Sequence, residues 1–127
     1  MTRETVFPPQ MKPPRSPLSP AIKANGLVFC SGQLPLNAET GEIARGGIRE
    51  QTKQALSNLQ RILLAAGTDL ERSLKVTVYM TDLSDFDAMN DVYRGFFTAS
   101  APARTTIGVA SLSRSECLVE IDLIAML

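Results

Sequence analysis

Histidine is absent from the 127 residues. That one absence excludes Ser-His-Asp and Cys-His catalysis, His-ligated zinc and the usual neutral-pH general base. Cysteine is scarce: Cys30 and Cys117 each sit inside an apolar, strand-like run without CxxC spacing. In a cytoplasmic chain such isolated thiols are expected to be buried and free rather than joined in a disulfide or a metal site. An excess of charge is also missing, since 13 Lys and Arg balance 13 Asp and Glu at a sequence pI near 6.2. No basic field exists to attract phosphate backbones or anionic lipid, so nucleic acid and membrane are poor partners. The opening MTRETVFPPQMKPPRSP lacks a signal-peptide core, and no later apolar run approaches the roughly 18 residues of a membrane span. The expected compartment is the cytoplasm. No Gly-rich phosphate loop, paired-cysteine site or acidic metal cluster appears either. Chemistry is left to carboxylates, Arg, Lys, Tyr, hydroxyls, backbone amides and water, and the expected site holds no metal and no cofactor.

What is present reads as one domain over 1–127. Hydrophobic residues make up 44% and charged residues 20%, an ordinary balance for a chain that folds around a single core. Six of the eight prolines lie within the first twenty residues, so Pro8 to Pro20 is expected as an extended, irregular arm outside any sheet interior. The Asn25-Gly26 pair between two apolar stretches signals a hairpin, with Leu27–Ser31 as its second strand. Pro35 and the NAETGE stretch form the next turn.

From Ile48 to Ala66 apolar residues recur at Ile48, Ala55, Leu56, Leu59, Ile62, Leu63 and Ala66, the spacing of an amphipathic helix that Gly67 stops. Leu74–Met80 alternates as a strand, closed by Thr81 and Asp82. Ser84 with Asp87 resembles a capping box, and Phe86, Met89, Tyr93, Phe96 and Phe97 follow at helical spacing, which predicts a second helix over 84–97. Those aromatics are expected to form a core stripe. Extended runs then follow over 103–112 and 117–127, separated by the polar loop Ser113-Arg114-Ser115. The order predicts an α+β domain with a mixed sheet of about six strands, covered on one face by two helices. In so short a chain the other face is expected to be covered by another subunit.

Few residues are suited to chemistry. Arg104 begins an extended run that has no other charge up to Leu112. It is suited to hold a carboxylate by two parallel hydrogen bonds, or equally to form a surface ion pair. Glu120 and Asp122 alternate in LVEIDLIAM and share one strand face. Either one is raised in pKa by apolar burial and fit for proton transfer, or the face is simply wet. If the last two strands pair as a hairpin, Arg104 and Glu120 share a face only in a register whose paired numbers sum to an even value. Ser31-Gly32-Gln33 ends a strand, where the glycine permits close backbone approach to a ligand or makes a turn.

Five blocks in order, LVFCSGQLPLNAETGEI, EQTKQALSNLQRILLAAG, KVTVYMTDLSDFDAMNDVYRGFF, PARTTIGVASL and LVEIDLIAM, resemble the RidA/YjgF family of enamine and imine deaminases, some members of which carry an endoribonuclease L-PSP label. The resemblance implies a chorismate-mutase-like fold, a homotrimer with interfacial clefts, and hydrolysis of 2-iminoacids such as that derived from 2-aminoacrylate to 2-oxoacids and ammonia. It implies that Arg104 clamps the substrate carboxylate and Glu120 positions water and moves protons. Gly32 and Ser31 would line the pocket beside Phe86. Two departures stand out: Leu18 where family members often have tyrosine, and Thr106 where archetypal members have cysteine. The competing reading is a non-catalytic module that binds a small carboxylate and regulates a partner. RNA cleavage is disfavoured by the missing histidine and the neutral charge.

Overall fold

Alternation along the last strand sets the architecture. The computed structural model describes residues 2–127, and in it the strand Val119–Met126 buries Val119, Ile121, Leu123 and Ala125 while leaving Glu120, Asp122 and Ile124 half-buried. Successive strand residues point to opposite sides of the sheet, so one face is core and the other is not. The same alternation in Ser73–Met80 buries Val76, Val78 and Met80.

The strands are β1 (Glu4–Val6), β2 (Ala21–Ala24), β3 (Leu27–Gln33), β4 (Ser73–Met80), β5 (Ala103–Gly108) and β6 (Val119–Met126), with helices α1 (Ile48–Ala66) and α2 (Phe86–Tyr93). They form one six-stranded sheet in the order β1-β2-β3-β6-β4-β5. Every neighbouring pair is antiparallel except β4 and β5. That parallel pair needs a crossover, which α2 supplies. The mixed sheet with both helices on one face is the arrangement expected from the order of elements.

The last two strands are not a hairpin. Strand β6 lies between β3 and β4, and β4 separates it from β5, so the even-sum condition for Arg104 and Glu120 does not apply. Bounds shifted elsewhere for local reasons. Asp82 rather than Ser84 caps the second helical segment, accepting from the Ser84 amide at 2.9 Å and its hydroxyl at 2.7 Å. A 3-10 turn over Leu83–Asp85 precedes α2. The helix ends at Tyr93 because the next amides tighten, Gly95 donating to the Val92 carbonyl and Phe96 to that of Tyr93. Strand β5 stops at Gly108 because its partner β4 has ended at Met80. One unforeseen strand, β1, pairs with β2 ahead of the proline arm, which itself stays out of the sheet.

Helix α1 runs over the predicted span, with Gly67 as its left-handed stop at φ 95°. The Glu50 side chain accepts from the Gly47 amide at 2.8 Å, satisfying one of the helix's free N-terminal donors. Ala55, Leu56, Leu59, Ile62 and Leu63 are wholly buried against the sheet, each leucine or isoleucine contributing roughly 1.5–3 kcal/mol by leaving water. Cys30 and Cys117 are free and buried. Burial, with a smaller effect of Asp122, pushes the Cys30 thiol up to about 12, so it is inert as a nucleophile. No helix among the described residues is long and apolar enough to cross a membrane.

Candidate active site

Glu120 projects from the first residues of the interior strand β6, on the face away from the helices. Its neighbour across β3 is a bulge, since the pairing shifts between Cys30 opposite Leu123 and Gln33 opposite Ile121. Gly32 lies in that irregularity. A methyl group built there would collide with Oε2 of Glu120 and lie 3.0 Å from its Cδ. Glycine at this position is therefore what admits the carboxylate.

Burial, aided by the negative charge of Asp122, raises the Glu120 carboxyl above its ordinary value. None of the ion pairs among the described residues involves Glu120. Asp122 instead accepts a hydrogen bond from the Tyr79 hydroxyl at 2.8 Å, which raises the tyrosine's own pKa. A half-buried carboxylate without an ion-pair partner among the described residues is poised to exchange a proton nearer neutral pH than an exposed one.

Gly32→Ala is therefore expected to keep the fold. The atom met first is the mobile end of a side chain, so displacement costs about 1 kcal/mol or less. The carboxylate itself must move, and activity should fall about 100-fold or more. Thermal unfolding and steady-state kinetics on the same variant separate the two effects. Equal activity in the alanine variant would show that Glu120 is not held for chemistry.

Ser31, next to this glycine, is committed elsewhere. Its hydroxyl donates to the Ser19 carbonyl at 2.6 Å and its amide to the Pro20 carbonyl at 2.9 Å. These bonds tie the proline arm to the sheet and set Leu18 on the lip of a cleft of about 480 Å³, which Gly32 also lines. Ser31 thus shapes the wall of that cleft by holding the arm.

Arg104 occupies a different place. It is in register with Val76, and Thr106 with Val78, so both face the helix layer. The guanidinium carbon lies 4.6 Å from the ring centre of Tyr93 and 5.6 Å from that of Phe86, attractive cation–aromatic contacts that fix the group without neutralising it. No ion pair among the described residues includes Arg104. The hydroxyls of Thr106 and Tyr93 are buried and have no hydrogen-bond partner among the described residues, an expensive state unless a ligand or water supplies one. A recess of about 300 Å³ lies here, lined by Asn90, Tyr93, Arg94, Pro102 and Arg104 among others. A fixed, unpaired guanidinium beside unsatisfied hydroxyls is an anion-binding arrangement.

The core-stripe expectation holds for Met89, Tyr93 and Phe97, which are buried, but Phe86 is 37% exposed and turned to Arg104. Tyr93 was not foreseen as a site residue. Its position seven residues after Phe86, on the same helix face, was the available signal.

The structure thus brings Gly32 and Glu120 together, and Arg104, Phe86 and Thr106 together, as two groups. One faces away from the helices and the other toward them. A single chain does not unite Arg104 with Glu120.

The family model described as Endoribonuclease L-PSP matches residues 10–127. The crystal structure of YyfA from Yersinia pestis, described as of the conserved Rid protein family, superimposes with a TM-score of 0.94 at 34% identity, covering 99% of this chain and 100% of that one. The chain belongs to the RidA/YjgF family. This RidA-family chain is also 43% identical over 125 residues to a RutC family protein of Pyrococcus abyssi, covering 98% of each. It is 41% identical over 110 residues to the mouse 2-iminobutanoate/2-iminopropanoate deaminase, covering 87% of this chain and 81% of that protein. Imine deaminases therefore stand within the family, and the two groups of residues described above lie on a RidA fold.

Proposed function

We propose that this RidA-family chain hydrolyses 2-imino acids to 2-oxo acids and ammonia, at sites that two copies of the chain complete together. The observation that carries this reading is the separation of a fixed, unpaired Arg104 from a proton-poised Glu120 on opposite sheet faces. A second copy that lays its Arg104 edge against the Glu120 face of the first unites them. The face is suited to such contact: Phe29, Ile107 and Met126 on it are 42%, 40% and 40% exposed, an apolar surface that calls for a cover. A homotrimer, as the family resemblance implies, would provide one.

Arg104 receives the substrate carboxylate on its planar fork. A water held by Glu120 adds to the imine carbon as the carboxylate takes its proton. From the protonated imine this gives a carbinolamine, which receives that proton on nitrogen; its C–N bond then breaks, ammonia leaves, and the hydroxyl proton passes to the Glu120 carboxylate to give the 2-oxo acid. An imine is already electrophilic, so fixed orientation and proton transfer worth about 10²–10⁴-fold are a sufficient contribution. No step calls on a metal or a cofactor. The endoribonuclease label gains no support from a chain with no histidine and zero net charge.

The test is a coupled reaction in which a serine or threonine dehydratase releases the imine in the presence of semicarbazide. Added protein should divert the imine to 2-oxo acid and lower the semicarbazone trapped from it. A module that binds carboxylates without turnover would leave the trapped yield unchanged, and that result would overturn the proposal.

A further inference from the structure

The cleft beside the arm begins at Gly32, the residue against which the Glu120 carboxylate packs. Its volume of about 480 Å³ lies in the range that encloses ligands much larger than a three-carbon imine. The more buried lining combines apolar Pro20 and Leu34 with Asn58, whose side chain is committed to the Leu34 and Leu36 carbonyls and to Gln54, and the exposed lining carries Lys12, Arg15 and Arg114. No Asp or Glu lines it. Of the neighbouring acids, Glu39 is turned to Arg61 at 3.9 Å. Neither Arg15 nor Arg114 enters an ion pair among the described residues. Among the described residues Lys12 reaches only the Thr40 carbonyl, at 3.4 Å. In a chain of zero net charge, three cations around one cleft without a carboxylate are a local imbalance, and low-dielectric walls concentrate their field.

We propose that this cleft takes the side chain of a 2-imino acid that ends in a second carboxylate, so that glutamate-type dicarboxylic imines are the preferred substrates. The assignment rests on the deaminase reading above. With the imine carbon at Glu120, the side chain passes Gly32, its methylene stem lies along Leu34 and Leu18, and its terminal carboxylate meets Arg15 and Arg114. Leu18 suits that role because it offers the stem apolar contact and no competing hydrogen-bond donor. The groups that face the terminal carboxylate are solvent-exposed, so the discrimination is expected to be moderate and weakened by salt.

The experiment compares the imines of glutamate and glutamine, generated in place by an amino-acid oxidase, as substrates that differ only in the terminal charge. Wild type should hydrolyse the glutamate-derived imine with kcat/KM roughly tenfold or more above the other. In the R15A/R114A variant the ratio should fall toward one. Calorimetry supplies a readout that does not depend on turnover: 2-oxoglutarate should bind more tightly than 2-oxopentanoate, and the difference should vanish in the double variant. Equal handling of the two imines by wild type, an unchanged ratio in the double variant, or a preference for the phenylalanine-derived imine would overturn the assignment. No turnover of any imine, with the arginine-dependent preference for 2-oxoglutarate intact, would remove the deaminase reading and leave the cleft assignment standing. No turnover with equal binding of the two oxo acids would remove both.

Discussion

Replacement of Arg104 by alanine is expected to lower kcat/KM for 2-iminobutanoate by a factor on the order of 30 to 1,000, equivalent to roughly 2–4 kcal/mol. Its guanidinium is held by two rings, 4.6 and 5.6 Å away, and enters no ion pair among the described residues. A planar fork makes two hydrogen bonds to a carboxylate, a lysine offers one flexible point charge, and alanine offers neither. Activity should therefore rank Arg above Lys above Ala. The assembly should persist in the alanine variant, with a light-scattering mass still about three times 13.8 kDa, because the substitution leaves the apolar core untouched. Wild-type hydrolysis by the alanine variant, or a loss fully explained by dissociation, would contradict the role.

Glu120→Gln removes the proton acceptor and keeps the shape, so kcat should fall by about 10²–10⁴ while a carboxylate ligand still binds. The pH dependence has a definite sign. Burial first, and the Asp122 charge second, raise the Glu120 carboxyl in the folded chain. Wild-type activity should therefore decline on the acid side with a midpoint above the ordinary value of 4.5, and the residual activity of the glutamine variant should lack that limb. The folded chain also holds this proton more tightly than the unfolded one. Glu120 accordingly favours folding below its unfolded-state pKa, and that contribution is lost as pH rises through the folded-state value. Glutamine avoids the loss. The variant should melt at or above the wild-type temperature at pH 7, with the advantage shrinking toward pH 4, as calorimetry at several pH values will show. Equal losses of binding and turnover, with a lower melting temperature, would mark Glu120 as structural.

Periodicity made most of this fold legible. Helix α1 and the alternating strand Ser73–Met80 were readable because their patterns match the 3.6 and 2.0 periods that burial imposes. The second helix was readable in kind but not in its ends, since its cap is Asp82 and its last turn tightens at Gly95, features of local hydrogen bonding that a pattern of apolar residues does not encode. The placement of β6 between β3 and β4 was not readable either. Strand order depends on which partners a segment meets across the whole chain. That gap concealed the main feature of the site. Arg104, Glu120 and Gly32 were each identifiable from residue type and the family's motifs, but only the register of β5 on β4 shows that the arginine faces the helices while the glutamate faces away. Tyr93 went unassigned because its ring at a core position hides a second use, as a platform for the guanidinium.

A working site that takes Arg104 from one copy and Glu120 from another is open to complementation between two impaired variants. Arg104→Ala and Glu120→Gln proteins, each strongly impaired alone, are to be unfolded together in equal amounts, refolded, and assayed for 2-iminobutanoate hydrolysis. Random reassembly joins an intact arginine to an intact glutamate at about one quarter of the interfaces, so about a quarter of wild-type activity should return. Mixed assemblies confirmed by mass that remain as impaired as either variant alone would contradict the account.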